Sequence, residues 1–208
     1  MNLKLVFFLI LFLLYFVHDI CLSLLFKGKY KKEDDFIGKN APDEVQKYFG
    51  KAMYIIMAYY LLIMVYLITG CDCWGLISDI ALLNNPGIQI GGFLLGILSL
   101  LLMTLARLNL GASWRVGLDH STIDNLVRHG FYRYSRNPYF TFLLFFEGSL
   151  ILISPNAVMI CAFIQSVLFL GLQVRQEESF LEQKYGEPYR AYKRETGRFL
   201  PKYSYSRE

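Results

Sequence analysis

Residues that ligate metals are scarce in this chain: its 208 positions hold four cysteines and three histidines. Cys71 and Cys73 form a lone C-x-C with no second pair and no nearby histidine. A zinc site needs about four ligands at recurring spacings, so no metal centre is expected. Cys21 and Cys161 lie in apolar segments, where cysteine packs as a small hydrophobe. Lys and Arg are missing from two loops, 71–87 and 154–156. No small-residue cleavage site follows the first apolar run, whose basic start is only Lys4, so that run reads as a retained helix. Repeats and low-complexity stretches are also absent. The whole of 1–208 therefore reads as one membrane domain.

What the chain has in abundance is apolar surface. Hydrophobic residues make up 55% of it and aromatics 16%, too much for a soluble domain with runs this long. A spanning helix needs roughly 20 apolar residues, because it rises about 1.5 Å per residue through a hydrocarbon core about 30 Å thick. Five segments approach that length: about 3–26, 52–70, 88–106, 138–153 and 157–172. The last two are short for a full crossing. The predicted fold class is all-α: a polytopic membrane protein of about five transmembrane helices with a cytoplasmic C-terminal helical extension.

Of the 21 Lys and Arg, 20 fall in three stretches, 27–51, 107–136 and 175–207. The bias of basic residues toward cytoplasmic loops places those stretches inside and the N-terminus outside, and five crossings then leave the C-terminus cytoplasmic. The net charge of +4 is accounted for by topology and anionic headgroups, so no nucleic-acid partner is expected. The loop 27–51, with Lys27 to Lys32 facing Glu33 to Asp35, reads as a solvated connector. Gly92 and Gly96, four apart on the third helix, favour close helix packing. Trp114 and Arg115 suit an interfacial belt or the entrance to a ligand site.

Two polar motifs bracket the last apolar hairpin. The first runs from Leu126 to Tyr139 and the second from Gln173 through Tyr189 to Pro201. Entering the membrane after one and returning at the other brings both to a single face. Asn137 is expected to cap the fourth helix, with Pro138 as its first residue. Such a helix start attracts a carboxylate or phosphate, and Arg136 adds a forked donor beside it. Gly130 permits a turn or close backbone approach. Tyr132, Tyr134 and Tyr139 offer flat faces with polar tips. Glu177 and Glu178 point about 100° apart on a helix, so they meet different surroundings. Within the apolar segments, Glu147, His18 and Asp19 are costly in a bilayer and should face protein or water. Glu147 reads equally as lining an acceptor cavity or as partnering another helix, and for His18 and Asp19 the structural reading is preferred.

Leu126, Val127, Gly130, Tyr132, Arg136, Asn137, Pro138 and Tyr139 resemble a motif of the membrane methyltransferases that include isoprenylcysteine carboxyl methyltransferase and the phospholipid N-methyltransferases. Glu177-Glu178, the tyrosine series 185, 189 and 192, and Arg198-Phe199 with Pro201 match the same family. The resemblance covers about 84–201 and leaves 1–83 without an informative match. It implies S-adenosylmethionine as cofactor at the cytoplasmic face, and a hydrophobic, lipid-like or prenylated acceptor arriving through the lipid bilayer. The implied cofactor residues are Leu126, Gly130, Tyr132, Arg136, Asn137, Pro138, Tyr139, Glu177 and Glu178. Arg175 or Arg194 would hold an acidic acceptor, and Glu177 or Glu178 would serve as base for an amine. Two other classes fit some of these features. One is an NADPH-dependent reductase of sterol-reductase-like architecture, and the other is a small membrane transporter or scaffold using Glu147 and His18–Asp19.

Overall fold

The computed structural model describes residues 3–30, 44–70, 77–113 and 126–202. These form six α-helices: α1 Leu3–Tyr30, α2 Glu44–Thr69, α3 Pro86–Leu110, α4 Pro138–Ile153, α5 Ala157–Tyr185 and α6 Glu187–Glu195. Short 3₁₀ turns occupy Gly111–Ser113 and Gly130–Arg133. Among the described residues the only extended pairing is a parallel bridge between Ser135 and Gly197. Trp114, Arg115, Cys71, Cys73 and most of the 27–51 connector lie outside the described residues.

Three helices, α1, α3 and α5, are long and apolar enough to cross a membrane, and α2 and α4 contain shorter apolar stretches. Their outward faces carry a sleeve of exposed aliphatic side chains, among them Leu13, Val17, Leu24, Leu94, Leu101 and Leu168. A surface of that kind requires lipid around it, and the chain is an integral membrane protein. The fifth segment is longer than its apolar run suggests. Where hydropathy falls after Leu172, the chain continues in Gln, Glu, Lys and Arg, which are good helix formers. The helix therefore runs on to Tyr185, about 43 Å at 1.5 Å per residue, and ends at Gly186 with φ +62°.

α3 and α4 form the tightest pair, and the reason lies in two glycines. A Cβ on Gly92 would sit 2.8 Å from Leu152 Cβ and 2.9 Å from the Ser149 carbonyl oxygen. One on Gly96 would meet Leu11 Cδ1 at 2.5 Å and Ser149 Oγ at 2.8 Å. Only hydrogen at these two positions lets α1 and α4 approach α3 so closely. At one end of the bundle, Asn85 caps α3 by accepting from Gly87 N at 2.7 Å. The buried Asn156 caps α5 by accepting from Met159 N at 3.0 Å. At the other end, Arg107 of α3 is 1% exposed and reaches into α1. It donates to Asp19 Oδ1 at 3.2 Å and Ser23 Oγ at 3.2 Å, and lies 5.1 Å over the Phe26 ring. Asp19 is thus an interhelical partner, as an ionisable group in this setting should be.

Candidate functional site

The two sequence motifs meet at the end of the bundle where α3 finishes and α4 begins. Gly130 starts the 3₁₀ turn with φ +58°, a conformation that favours glycine. Asn109 of α3 packs against it and accepts a hydrogen bond from Phe131 N at 3.0 Å. The close backbone approach expected at Gly130 is therefore made by Asn109. Leu126, partly exposed, leads into this turn.

Arg136 and Glu178 are 42 positions apart in sequence and in direct contact. Arg136 Nε donates to Glu178 Oε1 at 2.9 Å, and its Nη2 lies 2.8 Å from the same oxygen. Nη1 donates to the carbonyls of Lys193, at 3.3 Å, and Thr196. Glu178 Oε2 accepts from Arg198 Nε at 3.1 Å and Nη2 at 2.8 Å. One carboxylate, 3% exposed, thus holds two guanidiniums. Three of the five Arg136 N–H groups are already committed. Arg136 and Glu178, both read from the sequence as cofactor residues, are thus each other's partners in this structure.

Asn137 occupies the cap position with Pro138 behind it, but its side chain does not cap the helix. Its Nδ2 donates outward to the Arg198 carbonyl at 3.0 Å, and its backbone N donates to the same oxygen at 3.1 Å. Thr141 Oγ1 donates to the Phe199 carbonyl at 2.9 Å, and Arg136 N to the Gly197 carbonyl at 2.9 Å. The C-terminal segment 196–200 is therefore laced to the start of α4. It takes up donors that the sequence reading left open for an anion. Gly197 is necessary to this path, since a Cβ there would lie 1.8 Å from the Leu200 carbonyl oxygen.

Tyr132 is buried beside this lacing, and its carbonyl accepts from the Tyr192 hydroxyl of α6. Burial pushes the Tyr132 phenol well above its ordinary range, and the nearby charge of Glu177 pushes the same way. Burial likewise raises Tyr189 and Tyr192. Glu177 accepts from Gln173 Nε2 at 2.8 Å, one turn earlier on α5. Next to it are two buried acceptors without partners, Gln173 Oε1 and Gln176 Oε1. Positions 173, 176 and 177 share one helix face. Sequence reasoning passed over both glutamines, although their i, i+3, i+4 spacing with Glu177 was the available signal.

Of the remaining predicted residues, Arg175 and Arg194 do not join this group, and Tyr139 lies near Tyr132. Arg175 is exposed in register with Leu172 and Ser179, on another face of α5. Arg194 is exposed and pairs with Glu187 at 2.7 Å, which holds the Glu187 carboxyl below its usual range. Tyr139 is half-buried in the first turn of α4. Glu182 accepts from Lys193 at 2.8 Å and Arg190 at 3.1 Å, fixing α6 against α5.

Residues 88–188, which span this assembly apart from most of α6 and the C-terminal segment, match the family model described as phospholipid methyltransferase. A solved structure of similar fold is the eukaryotic intramembrane Ras methyltransferase, isoprenylcysteine carboxyl methyltransferase. The two align with a TM-score of 0.53 at 17% identity, over 96% of this chain and 93% of that one. At that identity the likeness is one of fold. No curated protein matches the chain in sequence.

Proposed function

We propose that the chain is a membrane methyltransferase, like the phospholipid methyltransferase family whose model matches residues 88–188, and that it uses S-adenosylmethionine to methylate a lipid-like or prenylated acceptor at the cytoplasmic membrane face. Five apolar segments read as crossings, and the distribution of Lys and Arg supports a reading with the N-terminus outside. The observation that carries the cofactor reading is the α5 face bearing Gln173 Oε1 and Gln176 Oε1, both buried and unpartnered, beside the Glu177 carboxylate. A face of acceptors calls for a ligand rich in donors. The ammonium, ribose diol and exocyclic amine of this cofactor are such donors, so the residues fit it. Tyr132 and Tyr139 supply aromatic walls for an adenine or a sulfonium.

When bound, the cofactor supplies a methyl carbon activated by its sulfonium. The protein then has to orient the acceptor and exclude water. Glu177 is the carboxylate placed to take a proton from an amine acceptor, while a carboxylate acceptor needs none. Arg136, Glu178 and Arg198 hold the start of α4, the end of α5 and the C-terminal segment as one unit.

Calorimetric titration of the detergent-purified protein tests this. S-adenosylmethionine should bind with micromolar affinity and NADPH should not. Gln173→Ala with Gln176→Ala should weaken binding by about 5–150-fold, at about 0.5–1.5 kcal/mol for each lost hydrogen bond. Absence of cofactor binding by a folded sample would overturn the proposal.

A further inference from the structure

Arg175 takes no part in the proposed reaction. It projects from the face of α5 that carries Ile164, Leu168 and Leu172, each more than half exposed. Positions 164, 168, 172 and 175 recur at helical spacing, so an aliphatic stripe runs up to the guanidinium. Arg175 stands about 27 Å along the axis from Ala157, where α5 begins. That is close to the hydrocarbon thickness of about 30 Å, which sets the stripe against acyl chains and Arg175 at the level of the headgroups. Among the described residues Arg175 has no hydrogen-bond or ion-pair partner.

Three positions further on, and so its neighbour on the helix surface, is Glu178. That carboxylate already holds Arg136 and Arg198. Three guanidiniums therefore gather about one carboxylate, which leaves two positive charges uncovered. Arg198 uses Nε and Nη2 on Glu178, and among the described residues its Nη1 has no partner. Its side chain is 41% exposed. A phosphodiester accepts well from two such forks, and the stripe beside them offers a bed for the acyl chains of the same molecule.

We propose that this edge of α5 binds an anionic phospholipid, whose phosphate joins Arg175 to Arg198 and whose chains lie along Ile164, Leu168 and Leu172. Arg175 points about 160° round the helix from Gln173 and Glu177, so a lipid held here is not the molecule being methylated. It acts on the unit formed by Arg136, Glu178 and Arg198. It offsets the charge that Glu178 leaves uncovered and ties segment 196–200 to α5 at the membrane surface. Charge alone would accept a free phosphate, and the stripe alone would accept any lipid; the two together select an anionic one.

The test titrates the whole, delipidated protein in dodecylmaltoside with dioleoylphosphatidylglycerol or dioleoylphosphatidylcholine. Native mass spectrometry reads binding, and melting temperature is followed in parallel. Inorganic phosphate serves as competitor against chloride at equal ionic strength. Phosphatidylglycerol should bind at least about 5-fold tighter than phosphatidylcholine and raise the melting temperature. Without lipid, Arg175→Gln should melt like the parent, because Arg175 has no partner to lose. It should bind phosphatidylglycerol about 5-fold more weakly, the weight of one arginine near a lipid surface. Arg190→Gln, which removes an exposed charge from α6, should stay within about two-fold of the parent, since salt screens a charge away from the site. Equal affinity for the two lipids would reduce the edge to an unselective apolar belt. Equal weakening by Arg190→Gln would make the attraction diffuse. Displacement by inorganic phosphate beyond that by chloride would make it an anion site indifferent to lipid. Parent-like binding by Arg175→Gln, or binding that leaves the melting temperature unmoved, would remove Arg175 or the link to segment 196–200. Each of these outcomes overturns the proposal.

Discussion

Replacing Glu178 with Gln separates two roles that the residue type alone allows, ligand and clamp. In the structure the carboxylate is 3% exposed and meets Arg136, whose side chain is 8% exposed, and Arg198, whose side chain is 41% exposed. Removing one partner of a buried ion pair costs about 3–5 kcal/mol, because the other charge is left uncompensated. The Arg198 arm is largely wet and adds at most about 1 kcal/mol. Gln keeps one acceptor oxygen, so the lower end of the range applies, about 3 kcal/mol. For a chain of this size, about 2–4 °C of melting temperature corresponds to each kcal/mol. A loss of about 6–12 °C is expected in thermal unfolding of the detergent-solubilised protein. Combining Arg136→Gln with Glu178→Gln should cost less than the sum of the single changes by about 1–3 kcal/mol, as for residues in contact. Measured at a temperature where the variant is folded, cofactor affinity should fall by less than about 10-fold, since a charged hydrogen bond to a ligand would be worth about 1.5–3 kcal/mol. Melting within about 2 °C of the parent, together with a larger loss of affinity, would refute the clamp and make Glu178 a ligand.

Further expectations follow from the packing and from the phenols. Gly92→Ala and Gly96→Ala should each destabilise by about 1–3 kcal/mol through overpacking. Trimming Leu11 to Ala should relieve the second and not the first, because the first meets the Ser149 backbone at 2.9 Å; thermal melts of the four variants check this. Gly130→Ala should cost more than about 1 kcal/mol, since φ is positive and the new methyl meets Asn109 Oδ1 at 2.0 Å. Asn109→Ala should restore only part of that loss in the same assay. Tyr132, Tyr189 and Tyr192 have raised phenol pKa values in the folded state. The stability they confer is complete below the unfolded value of about 10 and is lost as pH rises through the higher folded values. Melting temperature should therefore hold up to about pH 10 and decline above it. Tyrosinate absorbance should lag behind that of the denatured chain, and coincident titrations would contradict the burial.

The helices were legible because lipid imposes length and hydropathy on them, and Gly92 and Gly96 were legible because their four-residue spacing repeats one face. The extension of α5 past its apolar run was expected, but its end at Tyr185 was not set by hydropathy. Hydropathy marks where lipid ends, whereas helix termination depends on propensity and on Gly186. Arg136 and Glu178 were recognised as important, but which of the two glutamates meets Arg136 was not legible. A residue's type reveals what it can bind, but a contact across 42 positions leaves no periodic trace in one sequence. Asn137 was read from local rules as a helix cap. Its amide turns instead to the Arg198 carbonyl, a partner brought close by the fold of the C-terminal segment.

The clamp also explains why two adjacent glutamates occur here. Neighbouring positions on a helix differ by about 100°, so anchoring Glu178 to Arg136 fixes the rotation of α5 about its own axis. Gln173, Gln176 and Glu177 then face Tyr132 in one orientation only, and Arg175 is turned away with Leu172 and Ser179. Arg198 extends the same constraint to segment 196–200, which is laced to α4 through Asn137 and Thr141. A slip of α5 by one residue would bury Glu177 against Arg136 and point the glutamine face elsewhere. The buried charges are thus better explained by the orientation they impose than by the stability they add, which desolvation largely cancels. On this argument Glu177 and Glu178 are not redundant. Exchanging their roles requires turning the helix, so Gln at 177 should impair ligand binding in a protein that still melts normally, whereas Gln at 178 should lower the melting temperature first.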